Sequence, residues 1–135
     1  MTTRYAVRFV PTFHPAAEIE VCFGPEGEYV RVRTHGHGER IALSTEQGVR
    51  FLDEMAALAP ESIPDGKEMG FDGCTFTCTV QYPEGRKHVF SAWSPSREQS
   101  PQQHAFISLI YRAAEDAARR PEIVRVLKQL FGYFN

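Results

Sequence analysis

Long apolar runs are missing from this sequence. No stretch approaches the about 18 apolar residues of a membrane-spanning helix, and Arg8 interrupts the only early apolar segment, which therefore cannot serve as a signal-peptide core. Cysteine is scarce. Cys22, Cys74 and Cys78 cannot all pair within one chain, which argues against a stapled secreted domain and predicts a reducing, cytoplasmic setting. Charge of one sign is scarce too: 15 Lys and Arg stand against 17 Asp and Glu, for a formal charge of -2. Divided after Lys67, the two parts carry -3 and +1, too even for a basic arm or an acidic tail. The densest basic cluster, Arg119-Arg120 with Arg125 and Lys128, reads as a complement to helix ends, so nucleic acid is not the expected ligand. Also lacking are a phosphate-cradling loop ending in Gly-Lys-Ser/Thr, a dinucleotide fingerprint and a Gly-x-Ser-x-Gly elbow, and no cofactor is expected.

What is present is the patterning of one domain over residues 1–135, with 42% hydrophobic and 24% charged residues. A chain of this length buries roughly two thirds of its unfolded surface and needs no metal or disulfide to fold. Tyr5–Val10, Glu18–Phe23 and Tyr29–Thr34 alternate with the two-residue period of half-buried strands, Ile19, Val21 and Phe23 opposing Glu18, Glu20 and Cys22. His35-Gly36-His37-Gly38 reads as a turn before a short fourth strand, Ile41–Leu43. Ser44 with Gln47 forms a capping-box pattern ahead of a helix that Pro60 ends. After a loop, Glu61–Gly70, the clearest strand runs from Cys74 to Tyr82, turns at Pro83–Arg86 and returns over Lys87–Trp93. Ser100-Pro101-Gln102-Gln103 opens a second helix with Ser as cap, Pro in the first turn and Gln reaching back. Pro121 opens a third, with Gly132 as its stop. The expected fold is α+β: about six antiparallel strands, as a four-strand meander, a helix and a hairpin, with the helices packed on one face. The Tyr5–Val10 strand, if uncovered, offers an edge for a homodimer; otherwise the chain is a monomer.

Candidates for chemistry are few. His35 and His37 supply two imidazoles, fewer than a metal site needs, and Cys74 and Cys78 lie roughly 13 Å apart along a strand, too far to share a disulfide or a zinc. A thiol nucleophile would draw on Cys74 or Cys78, His88 and Asp72, but both cysteines share a face with Phe76, Val80 and Tyr82, which predicts burial. Asp53-Glu54 and Glu115-Asp116 are helix neighbours that point apart. Trp93, Tyr82 and Phe71 form the candidate binding patch, since exposed aromatics are favoured anchors for protein partners.

Asp72-Gly73 through Trp93-Ser94-Pro95 and the following helix resembles a set of small, functionally uncharacterised bacterial proteins. The resemblance covers about the second half of the chain and implies a bacterial source and a small standalone domain. It brings no catalytic residues with it. The reading that follows is a non-enzymatic protein-binding domain, in its most specific form an immunity-type protein that neutralises a toxin or effector. Alternatives are a small thiol- or metal-dependent enzyme and a small-molecule-binding α+β module.

Overall fold

The alternating segments of the sequence, and the short piece that follows the His35–Gly38 turn, become strands of one antiparallel sheet. The structure, a computed structural model, describes residues 2–66, 70 and 72–134. Strands β1 (Thr3–Pro11), β2 (Ala17–Gly24), β3 (Gly27–Thr34) and β4 (His37–Ala42) are followed by helix α1 (Thr45–Leu58) and a 3-10 turn (Pro60–Ser62). Then come β5 (Cys74–Gln81), β6 (Lys87–Trp93) and helices α2 (Pro101–Ala117) and α3 (Pro121–Phe131). The sheet order is β4-β3-β2-β1-β5-β6: the four-strand meander and the hairpin are those expected from the sequence, and the structure adds that the hairpin joins the sheet beside β1.

The helices pack on one face. Val7, Phe9, Ile19, Val21, Val30, Val32, Phe76, Cys78 and Val80 have no exposed surface there, and Phe51, Met55, Phe106, Ile110, Ile123 and Leu127 meet them from the helices. Phe9 and Phe76 pack edge-on at 5.1 Å between ring centres, and Phe90 and Phe106 at 5.0 Å. Phe134 then closes the core against Phe9, Phe76 and Tyr111.

Local signals work where no tertiary contact competes with them. Ser44 and Gln47 exchange both bonds of the capping box, at 3.1 and 2.8 Å. At α2 the start is as expected, but Gln103 does not reach back. Its amide Nε2 donates to the Pro64 carbonyl at 2.6 Å, and Ser100 makes no capping bond. The fourth strand also begins earlier than expected, at His37, because Gly36 with φ +76° completes a two-residue turn and pairs Thr34 with His37. Nor is Tyr5–Val10 an edge: β1 lies between β2 and β5, and the outer strands are β4 and β6. The outer side of β6 is partly occupied, since Ser91 donates its backbone N–H to Asp65 Oδ1 and its carbonyl accepts from Gly66.

Glu39 fastens the opposite edge. From the helix side of β4 its carboxylate accepts backbone N–H bonds from Arg119 at 3.0 and 3.1 Å and from Arg120 at 3.1 Å, immediately before α3. This is an N-terminal cap supplied by another element, placing negative charge at the positive end of the helix. Glu39→Ala is expected to lower unfolding stability by about 0.5–2 kcal/mol, the range for a lost cap. Urea denaturation checks this, and an unchanged midpoint would show that solvent replaces the carboxylate fully.

Candidate functional site

The residues proposed for thiol chemistry do not converge. Cys78 stands opposite Phe90 across the hairpin, His88 stands opposite Val80, and the His88 Nε2 donates to the Ile63 carbonyl at 2.8 Å. Asp72 lies beyond the other end of β5. All three cysteines are buried; burial pushes the Cys74 thiol up to about 12 and raises Cys22 and Cys78 as well. A thiol held protonated is a poor nucleophile at neutral pH. His35 and His37 flank the β3–β4 turn, both exposed, and among the described residues no three His, Cys, Asp or Glu gather to hold a metal ion.

The proposed aromatic patch is divided. Trp93 pairs with Thr75 at one end of the hairpin, whereas Tyr82 follows Gln81 at the other, roughly 23 Å away along the strand. Tyr82 is engaged locally: its hydroxyl donates to Glu61 at 2.8 Å, and the Arg86 guanidinium lies 4.3 Å from its ring centre. Burial, reinforced by the Glu61 bond, raises its phenol to about 12. Phe71 lies outside the described residues.

Trp93 alternates away from the helix side and rests on a cradle of glycine. A Cβ added at Gly70 or Gly73 would meet the indole at 2.3 and 2.5 Å, and Gly73 has φ +155°. Next to it Ser94 adopts φ +36°, which a residue with a Cβ rarely takes, and its N–H and Oγ bond both backbone groups of Cys74 at 2.8 and 2.9 Å. Asp72, Gly73, Trp93, Ser94 and Pro95 thus meet in space, at the mouth of a cleft of about 640 Å³ that Phe13, His104 and Tyr133 also line. Phe13 is 72% exposed.

A second surface has no counterpart in the sequence reading. Of the described residues, no helix covers the other face of the sheet, and strand register collects on it Arg4 and Arg8 from β1, Arg31 and Arg33 from β3, Arg40 from β4 and Lys87 from β6. Among the described strand residues, only Glu18 and Glu20, from β2, oppose these six cations there. The open face therefore carries four positive charges in excess, and the remainder of the chain six negative, within a total of -2. Glu18 is bonded by Arg33 and lies 3.3 Å from Arg4. Glu20, only 2% exposed, is held between Arg4 and Arg31. The Arg40 guanidinium sits 3.8 Å from the Tyr29 ring centre, and Arg8 is exposed and makes no ion pair among the described residues. Burial by itself would raise the Glu20 carboxyl, but the hydrogen bonds and charges of Arg4 and Arg31 outweigh it and hold the group below the ordinary carboxylate range. The sequence signal for this surface was the spacing of Arg4 with Arg8 and Arg31 with Arg33, an even number of residues apart within strands.

No protein-family model, curated protein or solved structure matches this chain.

Two outcomes follow from this geometry. A disulfide-exchanging thiol reagent at neutral pH is expected to label all three native cysteines slowly and at once after denaturation; one fast thiol in the native protein would revive the nucleophile reading. Because folding depresses the Glu20 carboxyl, its contribution to stability is complete above the ordinary carboxylate range and disappears as pH falls through the folded value. The stability margin of the wild type over Glu20→Gln should narrow on acidification, as followed by thermal melts across pH, and a margin independent of pH would refute the linkage.

Proposed function

We propose that this chain is a non-enzymatic protein-binding domain, in its most specific form an immunity-type protein that neutralises a toxin or effector. The observation that carries the reading is the one-sided covering of the sheet. Six strands present a face about 24 Å across and about 20 Å along the strands. Its projected area, about 500 Å² before side-chain relief, is on the scale of the ~800 Å² that a standard interface takes from each partner. Backbone hydrogen bonds hold this face rigid, so little ordering cost accompanies docking. At its corner Trp93 and exposed Phe13 add aromatic anchors of the kind that dominate binding energy.

Burial of the thiols, and the engagement of half-buried His88 with the Ile63 carbonyl, weigh against the enzyme reading. A small-molecule-binding module is the second reading, favoured by the cleft beside Trp93.

The immobilised chain is expected to retain one protein in near-equal amount from a lysate of its source cells. Where that protein is toxic, co-expression with the chain should restore growth. A folded chain that retains nothing stoichiometrically, yet melts at a higher temperature with a metabolite, would overturn this reading in favour of the second.

A further inference from the structure

The open sheet face holds arginines in an arrangement that is unfavourable for the isolated domain. Arg31 and Arg40 stand directly opposite each other across β3 and β4. Like charges in that position destabilise a strand pair. One carboxylate, Glu20, serves both Arg4 and Arg31, another, Glu18, serves Arg4 and Arg33, and Arg8 has neither. Arg8 and Arg33 flank Glu18 in the same row, on strands either side of β2, and line a shallow cleft of about 640 Å³ with Thr34 and His35. Guanidinium groups fixed in this way by sheet register are pre-ordered for bidentate contact with carboxylates.

We propose that the β1–β4 half of the open face docks an acidic surface of a partner protein, with Arg8 and Arg33 as its principal contacts and Arg31 and Arg40 beside them. The inference rests on the protein-binding reading above and adds the surface and the partner's chemistry. Charge complementarity selects that partner over nucleic acid for three reasons. Glu18 and Glu20 are fixed among the arginines, where they repel a continuous phosphate backbone but match a protein surface with interspersed cations. The aromatic ring in this half, Tyr29, is covered by Arg40 and offers no base-stacking platform. Beyond the face, the rest of the chain carries a negative excess that disfavours wrapping by a polyanion.

The test uses the whole chain and fluorescence anisotropy, with labelled poly-glutamate and an oligothymidylate of equal charge as probes. Poly-glutamate is expected to bind at low salt, more tightly than the oligothymidylate, and to weaken as salt rises. Arg8→Glu with Arg33→Glu should weaken it about tenfold or more. Arg8→Gln alone, which breaks no ion pair among the described residues and sets no second carboxylate opposite Glu18, should act in the same direction. Arg125→Glu with Lys128→Glu, exposed positions on α3, should leave binding unchanged. Absence of poly-glutamate binding at low salt, equal loss from the α3 variant, or preference for the oligothymidylate would each overturn the proposal. The partner captured from lysate separates the two claims. If Arg8→Glu with Arg33→Glu still retains it, this surface assignment falls while the protein-binding reading stands, and if the wild type retains none, the reading itself falls.

Discussion

Register along β1 is the constraint on which both faces of the sheet depend. This strand pairs with β2 on one side and β5 on the other, so its alternation is imposed on its neighbours across Val7↔Ile19 and Val7↔Cys78. A slip of one residue would place Arg4 and Arg8 beneath the helices and expose Val7 and Phe9. Burial of the helix-covered side, at roughly 25 cal/mol per Å² of apolar surface, forbids that slip. The arginine face is therefore held in place by the hydrophobic side it opposes.

Electrostatics on the open face are a consequence rather than a cause of the fold. Taking Glu20 out of water is costly and is offset only because two guanidinium groups meet its oxygens. Small side chains between the longer ones are shielded even here: Ala6, between Glu20 and Thr79 in its row, is 3% exposed on a face that no described helix covers. Such a face stays hydrated and resists nonspecific association, yet keeps uncompensated charge for a complementary surface. Glu39, reaching from β4 to the start of α3, and Asp65, bonded to the outer side of β6, tie the two edges of the sheet into the rest of the chain.

The cleft at Trp93 shows how distant segments become one feature. Gly73 and Trp93 are twenty positions apart, but pairing of Thr75 with Trp93 brings them together, and only glycine leaves room for the indole. Asp72, Gly73, Trp93, Ser94 and Pro95 are thereby gathered at one rim, whereas Tyr82, on the same hairpin, is carried to the far end.

Alternation and capping made most of the secondary structure legible, because period-two patterning, the Ser44–Gln47 box and the proline breaks act within a few residues of themselves. Burial of Cys74 and Cys78 followed from their place among Phe76 and Val80 for the same reason. Gln103 departs from its local capping pattern because a carbonyl thirty-nine positions away takes its amide in place of its own helix end. The cationic face was invisible to charge counting, since a net charge sums over all directions in space. Amino-acid order alone determined which residues alternate and so which side of each strand is apolar; only the stacking of β4, β3, β2 and β1 decided that arginines from three strands share one surface, because hydrogen-bonded register converts separation along the chain into adjacency across it.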